Sequence, residues 1–160
     1  MHVITARHVF EAAHRLRRHE GACRNIHGHS YQLEVSVAGE LYTDGPKSGM
    51  VLDFKQLKQT IKDIIDVGTF MGNNMTPFDH SIMLHEQDPL YTILKQELPG
   101  KERIRVIGMI EEPTAEYMTE LFAGLIVPQL QHYGLDVQLV SVKVWETENN
   151  FAEWRPDSGK

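Results

Sequence analysis

One cysteine stands in 160 residues, at position 23, and a single thiol cannot close a disulfide within its own chain. Cys23 is left with three uses: packing, metal ligation, or reactivity in a reducing compartment. Long apolar runs are missing too. No stretch approaches membrane-spanning length, and Met1-His2-Val3-Ile4-Thr5-Ala6-Arg7 lacks the apolar run of an export signal, so a cytoplasmic protein with no membrane partner is expected. Excess positive charge is also lacking. Sixteen Lys and Arg face 22 Asp and Glu, giving a formal net charge of −6. That balance argues against a general nucleic-acid or anionic-membrane surface but leaves room for a local basic pocket around one phosphorylated ligand. Arg15, Arg17, Arg18 and Arg24 are candidates for it, the alternative being a solvated loop. Repeats, low-complexity segments and linkers do not interrupt the chain. One domain over 1–160 accommodates it, with enough residues to bury a core.

What the chain does have is a concentration of imidazole around its one thiol. His14 is followed by Cys23-Arg24-Asn25-Ile26-His27-Gly28-His29. Residues two apart on a strand share a face, so His27 and His29 point the same way, at one end of an apolar row formed by Tyr31, Leu33, Val35 and Val37. Phe10, Ala12 and His14 share a parity as well. Antiparallel pairing of the two segments through 15–26 would bring His14 beside His27 and His29. Three neutral imidazoles suit Zn²⁺ and leave its fourth position open for water or substrate. A single inward histidine would pass as an ordinary core residue, whereas three at convergent positions do not. A closed structural site with Cys23 as fourth ligand is the alternative arrangement.

Elsewhere the signals are those of an α+β protein. Residues 3–14 and 27–42 read as an opening hairpin, followed by the turn cluster Thr43-Asp44-Gly45-Pro46-Lys47-Ser48-Gly49. Asp53 caps a helix with Phe54, Leu57, Ile61, Ile64 and Ile65 at helical spacing and Gly68 beyond its end. Residues 69–110 carry weaker signals: loops at Gly72-Asn73-Asn74 and Glu97-Leu98-Pro99-Gly100, a short helix at 89–97 and a strand at 104–109. Pro113-Thr114 opens a second long helix with the stripe Met118, Leu121, Phe122, Leu125, Ile126 and Leu130, which Pro128 is expected to kink or end early. A last strand over 137–148 carries Val140, Val142 and Val144 on one face, continued by Glu146. A carboxylate ending an apolar row needs a partner.

Taken in order, Phe10-Glu11-Ala12-Ala13-His14-Arg15-Leu16, Cys23-x-x-x-His27-Gly28-His29-Ser30-Tyr31, Gly49-Met50-Val51-Leu52-Asp53-Phe54, Asp79-His80, Pro113-Thr114-Ala115-Glu116 and Trp145-Glu146-Thr147 resemble the 6-pyruvoyltetrahydropterin and 6-carboxytetrahydropterin synthase family from about residue 8 to 154. The resemblance implies the tunnelling fold: a four-stranded antiparallel sheet with two helices on one face, subunits joining edge to edge into a barrel, a homohexamer of two trimers, and active sites at subunit interfaces. It implies Zn²⁺ on His14, His27 and His29, Cys23 as proton-transferring thiol, Asp79 and His80 as its relay, and Glu146 as anchor of the pterin ring. Thr114 and Glu116 match pocket-lining positions, yet Thr114 is equally a helix cap and Glu116 a first-turn acid. The implied substrate is 7,8-dihydroneopterin triphosphate. The spacing of Cys23 and His27 favours the 6-carboxy product, whereas Trp145-Glu146-Thr147-Glu148-Asn149-Asn150 leans toward the 6-pyruvoyl branch. A zinc or pterin-binding protein without catalysis is the reading from another class. The chain departs from the family after Asp79-His80, where an insertion runs from about 83 to 110.

Overall fold

The computed structural model describes residues 1–97 and 104–157. Strands β1 (His2–His14) and β2 (His27–Gly39) form the expected hairpin, in register from His2 opposite Gly39 to His14 opposite His27. Directly opposed residues share a face. Ala6, Phe10 and Ala12 therefore stand with Tyr31, Leu33, Val35 and Val37 in one buried layer.

Helix α1 (Phe54–Lys62) starts where expected, with Asp53 accepting from the Lys55 amide at 2.8 Å. It runs on as a wider turn over Asp63–Val67 and ends at Gly68, whose φ of 72° puts it in the left-handed region. A Cβ there would lie 2.4 Å from the Met75 carbonyl, so only glycine fits. Leu57, Ile61, Ile64 and Ile65 are buried, but Phe54, the first helical residue, is 51% exposed on an open cavity it shares with Arg7 and His8 of β1. The second long helix, α3 (Ala115–His132), continues through Pro128 instead of ending there. Its buried stripe is Met118, Phe122, Ile126 and Leu130, with Leu121 and Leu125 partly buried beside it. α1 and α3 share one hydrophobic core with the buried face of the sheet.

The sheet is larger than expected. The antiparallel run of four strands is present as β1, β2, β7 (Gln138–Trp145) and β8 (Phe151–Trp154), once β3 (Thr69–Phe70) and β4 (Asn73–Asn74) are set aside as a separate two-stranded ribbon. Two further strands, β5 (Ser81–His85) and β6 (Val106–Met109), extend it to six in the order β6-β5-β1-β2-β7-β8. β5 pairs parallel with β1 and β6 parallel with β5. Parallel neighbours need a crossover, and the insertion supplies it with the short helix α2 (Pro89–Thr92) and the wider turn Ile93–Glu97. The loop expected at Leu98-Pro99-Gly100 lies outside the described residues. In β7 a register shift places Leu139, not Val140, opposite Val37 and into the core.

Candidate metal centre and active site

Because His14 ends β1 and His27 begins β2, the hairpin register places them directly opposite each other, with Ala12 opposite His29. The candidate ligand nitrogens of His14, His27 and His29 all lie within 4.8 Å of one another. His14 Nδ1 donates to the Pro113 carbonyl at 2.7 Å, and His27 Nδ1 to the Asn25 carbonyl at 2.8 Å. A carbonyl only accepts, so each Nδ1 carries the proton and each Nε2 keeps a lone pair. These two Nε2 atoms stand 3.1 Å apart. Facing lone pairs at that distance repel unless a proton or a metal ion lies between them, and the separation is compatible with two nitrogens of a tetrahedral zinc site with Zn–N of about 2.0–2.1 Å. Burial lowers the pKa of His14 to about 4, with His27 and His29 adding to the effect against the opposing Pro113 bond. The imidazole is thus held neutral, the form that ligates a metal.

Cys23 occupies a single turn of 3₁₀ helix, Ala22–Arg24, within the β1–β2 connection. Its carbonyl accepts from the Leu16 amide at 2.9 Å, which closes the loop. The half-buried thiol is not part of the close histidine group. Among the described residues the close group is therefore of three imidazoles, without the sulfur.

Glu146 follows the end of β7 and reaches the same centre, with Oε1 3.8 Å from His14 Nε2. Beneath it Tyr31 is fully buried, stacked on Phe10 at 5.3 Å and set edge-on to His14 and His29. Burial raises the Tyr31 phenol pKa, and the Glu146 carboxylate raises it further, so the hydroxyl keeps its proton.

Asp79 and His80 form a side-chain pair, His80 Nδ1 lying 2.6 Å from Asp79 Oδ2. Burial alone would raise the Asp79 pKa, but the Glu11 amide, His80 and Arg105 hold it below the ordinary carboxylate value. His80 borders an open cavity of about 420 Å³ shared with Glu11, Ala13, Gly28, His29 and Ser30. Cys23 does not line that cavity.

The model of the family described as 6-pyruvoyl tetrahydropterin synthase matches residues 3–157. The chain belongs to that synthase family. A 6-carboxy-5,6,7,8-tetrahydropterin synthase of Haemophilus influenzae is 32% identical over 158 residues, covering 97% of this chain and 99% of the relative. Its counterpart in Rickettsia felis is 34% identical over 149 residues, covering 93% and 96%. Among solved structures, the 6-pyruvoyl tetrahydropterin synthase of Caenorhabditis elegans superposes with a TM-score of 0.58 at 24% identity, covering 97% of this chain and 96% of that one. At that identity the likeness speaks for the fold alone.

Within this 6-pyruvoyl tetrahydropterin synthase family chain, the remaining candidates divide. Thr114 is the cap of α3, accepting from the Tyr117 amide at 3.2 Å, and its neighbour Pro113 holds His14. Glu116 is exposed in the first turn of α3, on a shallow acidic cavity with Glu111, Glu112 and Glu120. Arg15 and Arg17 are already paired with carboxylates. Arg15 makes two bonds to the buried Asp88, at 2.6 and 2.9 Å, and Arg17 Nε donates to Glu112 at 2.9 Å. Through Asp88, and through Gln87 Oε1, which accepts from Arg17 Nη2 at 3.1 Å, they fasten the thiol-bearing loop to the insertion, and of the four arginines Arg18 and Arg24 are left exposed. The orienting carbonyls of Pro113 and Asn25 escaped the sequence reading, since backbone acceptors carry no residue-type signal.

Proposed function

We propose that this protein is a zinc-dependent 6-carboxy-5,6,7,8-tetrahydropterin synthase, converting 7,8-dihydroneopterin triphosphate and water to 6-carboxytetrahydropterin, acetaldehyde and triphosphate on the route to queuosine. The observation that carries the reading is the convergence of the His14 and His27 Nε2 atoms, each imidazole oriented by a backbone carbonyl, within a group completed by His29. The names of the Haemophilus and Rickettsia relatives support the choice of product.

In this reading His14, His27 and His29 hold Zn²⁺, which when bound polarises the side-chain oxygens of the substrate and makes the neighbouring hydrogen more acidic. Cys23 acts as the base that moves a proton between side chain and ring. Asp79 accepts from His80 Nδ1, which leaves Nε2 free to take and return that proton. Glu146 accepts two hydrogen bonds from the amino group and ring nitrogen of the pterin, and Thr114 and Glu116 line its pocket. Cys23 does not line the cavity bordered by His80, and in this reading the dyad of one subunit serves the thiol of another, in a homohexamer of two trimers with its active sites at the interfaces. A reducing cytoplasm would keep the lone thiol active.

The test is incubation of zinc-loaded protein with 7,8-dihydroneopterin triphosphate, with products identified by mass and acetaldehyde assayed. 6-Carboxytetrahydropterin with acetaldehyde is expected. 6-Pyruvoyltetrahydropterin without acetaldehyde would move the enzyme to the branch that the Trp145–Asn150 segment favours. No turnover despite bound zinc would favour a binding protein without catalysis.

A further inference from the structure

The peptide group joining Asp79 to His80 is gripped at both ends. Its N–H donates to the Glu11 carbonyl at 2.6 Å, and its C=O accepts from Arg105 Nη1 at 2.8 Å. The Asp79 carboxylate is tethered as well, Oδ1 accepting from the Glu11 amide at 2.9 Å. The grip matches a conformational need. His80 has a φ of 58°, left-handed backbone that a residue with a side chain adopts at a cost and keeps only where its surroundings impose it. Glu11 belongs to β1, whereas Arg105 immediately precedes β6, so the two holds come from opposite sides of β5. Arg105 is itself anchored, because its carbonyl accepts from the Ile82 amide at 2.8 Å. Its charge also helps keep Asp79 ionised.

We infer that Arg105 is a positioning residue: by holding the Asp79–His80 peptide from its carbonyl side, it fixes the His80 ring with Nδ1 on Asp79 and Nε2 free for proton transfer. The inference rests on the proposed role of Asp79 and His80 as a relay. It gives the insertion between β5 and β6 a task, since the crossover delivers this guanidinium to the dyad. Arg105 acts through the backbone of Asp79 and needs no contact with substrate.

The experiment compares the full chain with its Arg105→Ala, Arg105→Lys and His80→Ala variants, all loaded with zinc. Loss of one charged hydrogen bond to the dyad should lower kcat about tenfold in Arg105→Ala and leave KM within about twofold, with Arg105→Lys recovering most of the rate. ¹⁵N NMR of the histidine rings supplies a readout independent of turnover. The His80 signals should change from those of a single Nδ1–H tautomer in the native chain to an averaged pair in Arg105→Ala. Unchanged kcat and unchanged His80 signals in Arg105→Ala, beside an inactive His80→Ala, would overturn the positioning role and leave the relay intact. Full turnover in His80→Ala would overturn the relay, and the ring signals would then decide on Arg105 alone. Should Arg105→Ala lose its fold by circular dichroism, Arg105→Met keeps the aliphatic stem without the donors and is judged by the same two outcomes.

Discussion

At the scale of single residues, the division of labour between thiol and imidazoles is open to direct test. Cys23 stands outside the histidine group, so Cys23→Ala should bind zinc in undiminished stoichiometry while turnover falls by about 10²–10⁴, the usual share of a general base. Metal analysis beside the acetaldehyde assay checks both halves. Lost zinc would make sulfur a ligand, and retained turnover would remove it as the base. His14 makes a second prediction, for the metal-free protein. The unfolded chain protonates His14 near its ordinary value of 6.5, whereas the folded chain resists protonation down to about 4. The unfolded state therefore binds more protons in that interval, and the stability present above pH 6.5 is lost as pH falls toward 4, by up to about 3 kcal/mol. Urea titrations of chelator-treated protein between pH 7 and 4 should show this slope. His14→Gln should flatten it, and an equal slope in that variant would assign the acid sensitivity elsewhere.

At the scale of elements, what was legible follows from what is periodic. Alternation located His14, His27 and His29 on one face, because a hairpin preserves parity over its whole length. The same logic failed at Val140, where one bulged residue reverses the parity and brings Leu139 inward. Phe54 kept the helical spacing but not the burial, since spacing does not say which end of the stripe faces an open cavity. β5 and β6 were hardest to read as a pair: short, parallel, and joined by a crossover that no local pattern announces. The pairing of Arg15 with Asp88 links residues 73 apart and likewise leaves no local trace. Asp88 both holds Arg15 and caps α2 through the Leu90 amide at 3.0 Å, with its side chain fully enclosed. Asp88→Ala should therefore cost about 3–5 kcal/mol in chemical denaturation, the range for breaking a buried pair. Asp88→Asn retains an oxygen for the cap and should cost less. If Ala and Asn cost the same, the cap contributes nothing.

At the scale of the whole molecule, the sheet has a covered face and a face without helices, and the second is organised by charge. Arg7, Glu34, Lys143 and Glu153 stand directly opposite one another across β1, β2, β7 and β8, alternating in sign. Burial would raise the Glu34 pKa, but hydrogen bonds from Lys143 and Arg7, reinforced by their charges, hold it below the ordinary value. Such a ladder suits a hydrated interior better than a dry interface. Among the described residues, 2–10 of β1 have a strand on one side only, and β8 is the last strand at the other end, so both edges of the antiparallel run offer unpaired backbone to other copies. In the proposed assembly the Asp79–His80 dyad of one subunit serves the Cys23 loop of the next, which subunit mixing can test. Cys23→Ala and His80→Ala chains, each inactive alone, are unfolded together and reassembled in equal amounts. If thiol and dyad come from different chains, about one site in four pairs an intact Cys23 with an intact His80, and about a quarter of native turnover returns. If both come from the same chain, every site keeps one lesion and no turnover returns, although mass spectrometry detects mixed oligomers. Recovery near a quarter would thus identify the proton relay as a product of assembly, and would explain why a single chain keeps Cys23 out of the cavity that His80 borders.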